Sequence, residues 1–258
     1  MLDLTRDNKV RLGLDFGYFT CGLWERIGLP WPAVHQLDMA HWLQHGPRRR
    51  IVRAFRGASK TWLTIAYCLW RLYHQPNDRI VLVSKSLQHS RESMHMARKW
   101  IRDVDFLKDL EPGPGQRDTM DRFDVGPSSP DRVASFNAYG VEGQLEGSRG
   151  NVIVLDDVET RQSTETHLQR TRLAEDIKEA DRILKPKDSD IIALGTPHHA
   201  ISVYDQLVEV GYTERRWPIR FPTDDEDVPA MSPLFIDLMN KVPHKELMEK
   251  YPFLELAA

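Results

Sequence analysis

The chain has 258 residues, 41% of them apolar and 28% charged, and a formal net charge of −3. That is enough apolar material for a sizeable core in one large domain or two small ones, and the near balance of charge excludes a chain coated throughout by nucleic acid. Cys21 and Cys68 stand apart with no CxxC and no neighbouring histidine, which excludes a disulfide framework or a zinc site and leaves both as buried apolar fillers.

No run of eighteen apolar residues occurs, and the opening MLDLTRDNKVRLGLDFG lacks the layout of a signal peptide; the expectation is a cytoplasmic chain without a membrane partner. Residues 1–45 carry no strand signal, and Val34, Leu37, Trp42 and Leu43 at helical spacing predict a small helical region. From 46 to 221 elements alternate. IVRAF (51–55) is a short β-prone run, Trp62 to Tyr73 has helical apolar spacing, and RIVLVS (79–84) is a continuous apolar run of the buried-strand type. Ser86 caps a helix predicted to run to Arg102. The Pro- and Gly-rich segment 111–130 reads as a surface excursion or loose hairpin. RVASFNA (132–138), NVIVLDD (151–157), DIIALGT (190–196) and RRWPIRF (215–221) are further strands, with helices over Thr164–Leu184 and near Val203–Val210. Residues 222–258 read as a linker, with the solvated acidic run Asp224, Asp225, Glu226 and Asp227, followed by a helix in HKELMEKY.

This alternation predicts an α/β fold with a mainly parallel central sheet, helices on both faces, and small helical pieces at each end. Ligands in such sheets bind at the carboxyl ends of the strands, so the loops leaving Phe55, Ser84, Leu155 and Leu194 are the informative ones.

The first of those loops is AFRGASKT, residues 54–61. A phosphate-binding loop GxxxxGK[ST] turns backbone N–H groups toward phosphates at a helix N-terminus, while its Lys reaches the outer phosphates and its hydroxyl binds Mg²⁺. Here Ala54 and Ser59 replace the two glycines, whereas Lys60 and Thr61 are intact and Gly57 lies inside the loop. Arg56, Gly57, Ala58, Ser59, Lys60 and Thr61 are thus the candidate nucleotide-binding residues, against the bland alternative of a Lys-Thr that merely opens a helix. A Ser59 forced to φ > 0 would carry strain that Gly would not.

NVIVLDDVE supplies carboxylates at the tip of a buried strand, where a P-loop ATPase holds Mg²⁺ and orients the attacking water. Asp156 is the metal candidate, together with Thr61. Asp157 or Glu159 would polarise the water, and the two share a side if the extended conformation persists. The alternative is an acid pair that caps a turn. The spacing of roughly one hundred residues between Lys60 and Asp156 fits P-loop NTPases of the ASCE type, whose sheet carries an added strand between the two motifs. DIIALGTPHH places Thr196 at a strand end, able to sense the γ-phosphate, with Gly195 and Pro197 fixing the turn; His198 and His199 have no third ligand at metal spacing. Arg56 is close enough to Lys60 to meet developing charge on the γ-phosphate. Arg149, among the glycines of GQLEGSRGN, could contact nucleotide of its own or a neighbouring subunit. Between Gly46 and Arg102 stand thirteen Lys or Arg against two acids, Asp78 and Glu92, a stretch that faces either phosphates or solvent.

AFRGASKT, a strand ending LDDVE, a strand ending LGTP and an upstream PAVHQLDMAHWL together resemble the ATPase domain of tailed-phage terminase large subunits, closest to the short-tailed podophage type. The resemblance runs from Pro32 to Phe221. It implies a motor that uses ATP and Mg²⁺ to drive double-stranded DNA into a procapsid. It also implies a portal protein and a small terminase subunit as partners, a homo-oligomeric ring, and the host cytoplasm and procapsid portal as location. By position it assigns adenine recognition to Gln36, the phosphates and Mg²⁺ to Lys60 and Thr61, the metal carboxylate to Asp156, a cis-acting arginine to Arg56 and coupling to Thr196. Many family members have Asp-Glu where this chain has Asp156-Asp157, which leaves the choice between Asp157 and Glu159 open. Members generally continue into a nuclease domain; 37 residues follow Phe221, too few for one, so no nuclease activity is expected in this chain. A helicase-like or remodelling ATPase, a small-molecule kinase, and a non-enzymatic adaptor with a decayed site are the alternatives.

Overall fold

The predicted strands are short runs that are apolar on both sides of the backbone, and such runs are stable only in a sheet covered on both faces. The computed structural model describes residues 5–143, 149–159, 173, 175, 177, 182–184, 189–196, 202–219 and 231–256. In chain order they form α1 (Arg6–Leu14), α2 (Phe16–Arg26), α3 (Val34–His45), β1 (Arg49–Ala54), α4 (Lys60–His74), β2 (Ile80–Ser84) and α5 (Leu87–Asp103). There follow a 3₁₀ helix (Asp105–Leu110), β3 (Asp118–Thr119), β4 (Arg122–Phe123), β5 (Phe136–Gly140), β6 (Val152–Asp156) and β7 (Asp190–Gly195). The chain continues with α6 (Val203–Glu209), β8 (Thr213–Trp217), α7 (Pro233–Met239), α8 (His244–Lys250) and a second 3₁₀ helix (Pro252–Leu256). All but a few residues of the predicted helix 164–184 lie outside the described residues, as do Pro197, His198, His199 and the acidic run 224–227.

The eight strands pair in the order β3-β4-β5-β2-β6-β7-β1-β8. From β5 to β8 every pairing is parallel, and only the short β3–β4 hairpin, within the predicted excursion, joins antiparallel. β7 lies between β1 and β6, which is the added strand that the motif spacing predicts. The fold is therefore α/β of the P-loop NTPase type, with helices on both faces.

Alternation along each strand divides the core in two. Val52, Ala54, Ile80, Leu82, Val152, Val154, Ile192 and Leu194 face one cluster, packed under α2 to α5. Ile51, Val81, Val83, Ile153, Leu155, Ile191 and Ala193 face the other, under Val203, Tyr204 and Leu207 of α6. The first face explains the helical sequences: α5 buries Ser90, Ser93, Met94, Ala97, Trp100 and Ile101, a stripe at i, i+3, i+4, and starts at Ser86, whose hydroxyl accepts the His89 N–H at 3.3 Å. The helices of residues 5–45 bury Phe16, Phe19, Leu23 and Trp24 in that same cluster, with Trp24 6.4 Å from Trp100 and Phe19 5.4 Å from Phe106. The last helices dock back on α3 and β8 through Asp38, which accepts from Trp217 Nε1 at 2.7 Å and from the Ser232 hydroxyl. Cys21 and Cys68 are both buried and unbridged. Among the described residues, no helix is long and apolar enough to cross a membrane.

At the amino end of the sheet a buried charge network holds β1, β7 and α4 together. Arg50, 1% exposed, donates to Leu43 O (2.5 Å), Pro47 O (2.9 Å) and the Tyr67 hydroxyl (2.9 Å), and pairs with Asp190 at 3.1 Å. Arg71 pairs with Asp78 and with the other oxygen of Asp190, each at 2.6 Å. Removing one partner from a buried pair leaves the other charge uncompensated at a cost of about 3–5 kcal/mol. Arg50→Ala is expected to lower unfolding stability by about that amount in urea titrations, with less loss for Arg50→Lys.

Candidate nucleotide site

β1 is paired on both sides, by β7 and β8, so its last residue, Ala54, is held at the carboxyl edge of the sheet and is 4% exposed. The chain then turns back on itself. The Ala58 N–H donates to Phe55 O at 3.3 Å, Gly57 takes φ 95°, and Ser59 takes φ 62°, ψ 28° before α4 begins at Lys60. The left-handed position at the glycine site of the loop is thus real, and Ser occupies it with the Cβ crowding that glycine avoids. This turn puts the free N–H groups of the first turn of α4 at the loop, the geometry that suits an anion. Lys60, 8% exposed, donates to Ala54 O (3.1 Å), Phe55 O (3.2 Å) and Thr196 Oγ1 (2.8 Å). Burial lowers its pKa, while Asp157 and Asp156 pull the other way.

The acids arrive from β6 and are set by β7. Asp156, 1% exposed, has Oδ1 3.5 Å from the Thr61 hydroxyl, and its Oδ2 has no hydrogen-bond partner among the described residues. Burial raises its pKa to about 7, and the charge of Asp157 pushes the same way. Asp157 leaves the strand in the left-handed region at φ 49°, its N–H donating to Leu194 O (2.9 Å) and its Oδ1 accepting the Thr196 N–H (3.2 Å). Thr196 in turn donates its hydroxyl to Ala54 O at 3.4 Å. Lys60, Thr61, Asp156, Asp157 and Thr196 therefore converge where β1, β6 and β7 end.

Glu159 goes elsewhere. The expectation that it shares a side with Asp157 required an extended chain, and the turn at Asp157 ends the strand one residue too early. Glu159 is instead 2% exposed and accepts from the Ser202 hydroxyl at 2.5 Å, at the start of α6. Two residues on, the Tyr204 hydroxyl donates to Leu194 O at 3.0 Å and fills the space over Gly195, where a Cβ would collide with it. Gly195 is needed for that close approach rather than for its dihedral freedom.

Of the other candidates, Gln36 sits in the first turn of α3 with its carboxamide oxygen accepting the Ala33 N–H at 2.9 Å, and its neighbour His35 packs 5.4 Å from the Phe55 ring. Arg56 is exposed on the loop and close enough for its charge to act on Lys60. Arg149 is exposed and precedes β6, so it lies at the opposite end of that strand from Asp156, roughly 13 Å or more away at 3.3 Å per residue, and does not join the others. The basic stretch is largely self-neutralised: Arg50, Arg53, Arg71, Arg79, Arg91, Arg98 and Lys99 are paired with acids. Lys85, just past the end of β2, is exposed and near enough for its charge to lower the Asp156 pKa. Lys85, Ser202 and Tyr204 escaped the sequence reading. The Ser202–Asp205 capping box is visible in SVYD, but nothing local links that Ser to Glu159.

Two outcomes follow from this geometry. Ser59→Gly is expected to leave stability unchanged or raise it by up to about 1 kcal/mol, and Ser59→Val to lower it, both read by urea unfolding. Asp156 has its folded pKa near 7 against an ordinary 3.8, so its burial favours the neutral acid and stability falls as pH rises from about 4 to about 7. Above that window the buried carboxylate costs up to about 4 kcal/mol, at 1.36 kcal/mol per unit. Asp156→Asn is thus expected to raise the Tm of the nucleotide-free protein at about pH 8, with the gain vanishing near pH 4.

No protein-family model matches the chain. A sequence relative is the large subunit of terminase from Enterobacteria phage T3, 38% identical over 216 residues, which are 83% of this chain. The chain spans 37% of the length of that relative. Among solved structures, S. cerevisiae Dbp5 L327V bound to Gle1 H337R and IP6 is similar at 15% identity and TM-score 0.51, over 77% of this chain and 49% of that one, a likeness of fold alone. The Thermus phage P74-26 large terminase ATPase domain is similar at 13% identity and TM-score 0.46, over 89% of this chain and 96% of that one. Over most of its own length, then, the chain is similar to part of a phage terminase large subunit.

Proposed function

We propose that the chain hydrolyses ATP as the motor part of a viral DNA-packaging enzyme that translocates double-stranded DNA. The observation that carries this reading is the convergence of Lys60, Asp157 and Thr196 around the end of β1, with Asp156 and Thr61 beside them. Lys60 would exchange its loop carbonyls for the β- and γ-phosphates, and the N–H groups of the loop and of α4 would cradle them. Gln36, whose oxygen is engaged by Ala33, would offer its amide nitrogen to the base.

Thr61 and Asp156 fit a divalent cation, since a buried carboxylate oxygen without a partner and a hydroxyl stand side by side. Mg²⁺ bound there would supply neutralisation of phosphate charge. Asp157, fixed by its bonds to Leu194 and Thr196, would orient the water and accept its proton as the water oxygen attacks Pγ and the bond to the β-phosphate oxygen breaks. Arg56 would meet charge growing on the γ-phosphoryl oxygens. Glu159 would act at a distance, holding Ser202 and hence α6 against the end of β7, where Thr196 reports on the γ-phosphate. Arg149, at the far end of β6, would serve a neighbouring subunit of a homo-oligomeric ring. The portal and small terminase subunit would be partners at the procapsid, in the host cytoplasm.

Lys60→Ala is expected to reduce ATP turnover by at least about 100-fold, and Asp157→Asn comparably with nucleotide affinity retained, both by phosphate release and equilibrium binding. A Lys60→Ala protein turning over like the parent would overturn the reading.

A further inference from the structure

Beside Asp156 the sheet holds a second polar group that has no hydrogen-bond partner among the described residues. Ser84 ends β2 and is opposite Asp156 in the parallel β2–β6 register. It is 0% exposed, and its hydroxyl has no hydrogen-bond partner among the described residues, like Asp156 Oδ2. Residues in register on neighbouring parallel strands point to the same face, with backbones about 4.8 Å apart. Alternation sets that face: Ile80, Leu82, Val152 and Val154 belong to the cluster beneath α4, so Ser84 and Asp156 both open on the side where α4 carries Thr61. On the other flank of Ser84, Gly140 has no side chain, and the Ser86 and Leu87 backbone lies where its Cβ would be. On the flanking strands, then, the polar side chain in register with Ser84 is Asp156.

Leaving a buried hydroxyl unbonded costs about 1–3 kcal/mol, and a buried carboxylate oxygen more. Two such atoms side by side, next to a third oxygen on Thr61, form a set suited to a hydrated hard cation, which keeps several of its waters when held by few protein oxygens. We propose that Ser84 is a positioning residue for a divalent cation at the nucleotide site: its hydroxyl would bond a water of the cation's hydration shell and so hold Asp156 and the shell together. This rests on the ATPase reading, and it adds a residue that neither the loop motif nor the acidic strand contains.

The test is Mn²⁺ binding to the complex of the whole chain with a nonhydrolysable ATP analogue, followed by the EPR signal of free Mn²⁺. Ser84→Ala is expected to weaken Mn²⁺ affinity by roughly 10-fold or more, as loss of an outer-shell partner does, while affinity for the analogue in EDTA stays unchanged. Ser84→Cys keeps the size but hydrogen-bonds poorly, and serves with the same expectation if the Ala protein does not fold. Ser84→Ala binding Mn²⁺ within about twofold of the parent, by the same measure of outer-shell loss, would overturn this inference alone. A parent chain that binds neither the analogue nor Mn²⁺ would overturn the ATPase reading along with it.

Discussion

The Lys60 ammonium is the tie on which the site depends. Its three acceptors come from the end of β1, the start of the loop and the end of β7, so one side chain at the start of α4 fixes the helix to two strands. Being almost buried, it can hold a charge only because those oxygens and the Asp156–Asp157 pair surround it. Lys60 cannot leave for a phosphate without releasing Thr196, and Thr196 is bonded to Asp157. On the proposed reading, phosphate binding and the end of β7 would be coupled through that single hydroxyl.

The two ends of the sheet handle charge in opposite ways. At the amino end Arg50, Arg71, Asp78 and Asp190 are matched in charge, two cations against two acids. At the carboxyl end Asp156 and Asp157 stand together, and one Asp156 oxygen has no hydrogen-bond partner among the described residues, which costs stability. Such local instability at the place of function, set in a scaffold stabilised elsewhere, is the usual distribution in enzymes. On the second face Glu159, Ser202 and Tyr204 tie α6 to the ends of β6 and β7.

Much of this was legible locally. Continuous apolar runs must be buried on both faces, so strands β1, β2, β6 and β7 and their parallel arrangement could be read from composition and spacing alone. A Lys-Thr after an apolar strand and acids at the tip of another are chemical statements that survive the loss of both loop glycines, whereas the strand between them in the sheet, β7, follows both motifs in sequence. The left-handed turn at Ser59 was foreseeable because the loop needs it whatever residue stands there.

What the tertiary structure alone decided concerns neighbours far apart in sequence. The places of Asp157 and Glu159 part at the turn where Asp157 takes φ 49°, after which Glu159 meets Ser202. Seven of the cations in the basic stretch are paired with acids, and most of those partners, Asp118, Asp121, Asp131, Asp190, Asp205 and Glu214 among them, lie outside it in sequence. Ser84 meets Asp156 only through strand register, which depends on pairing across seventy residues of chain and leaves no local trace. Sequence by itself determined which chemistries were present and on which strand ends, because those follow from side-chain type and period. Which of them share a site was set by packing, because contact is a property of the folded neighbours and not of any one segment.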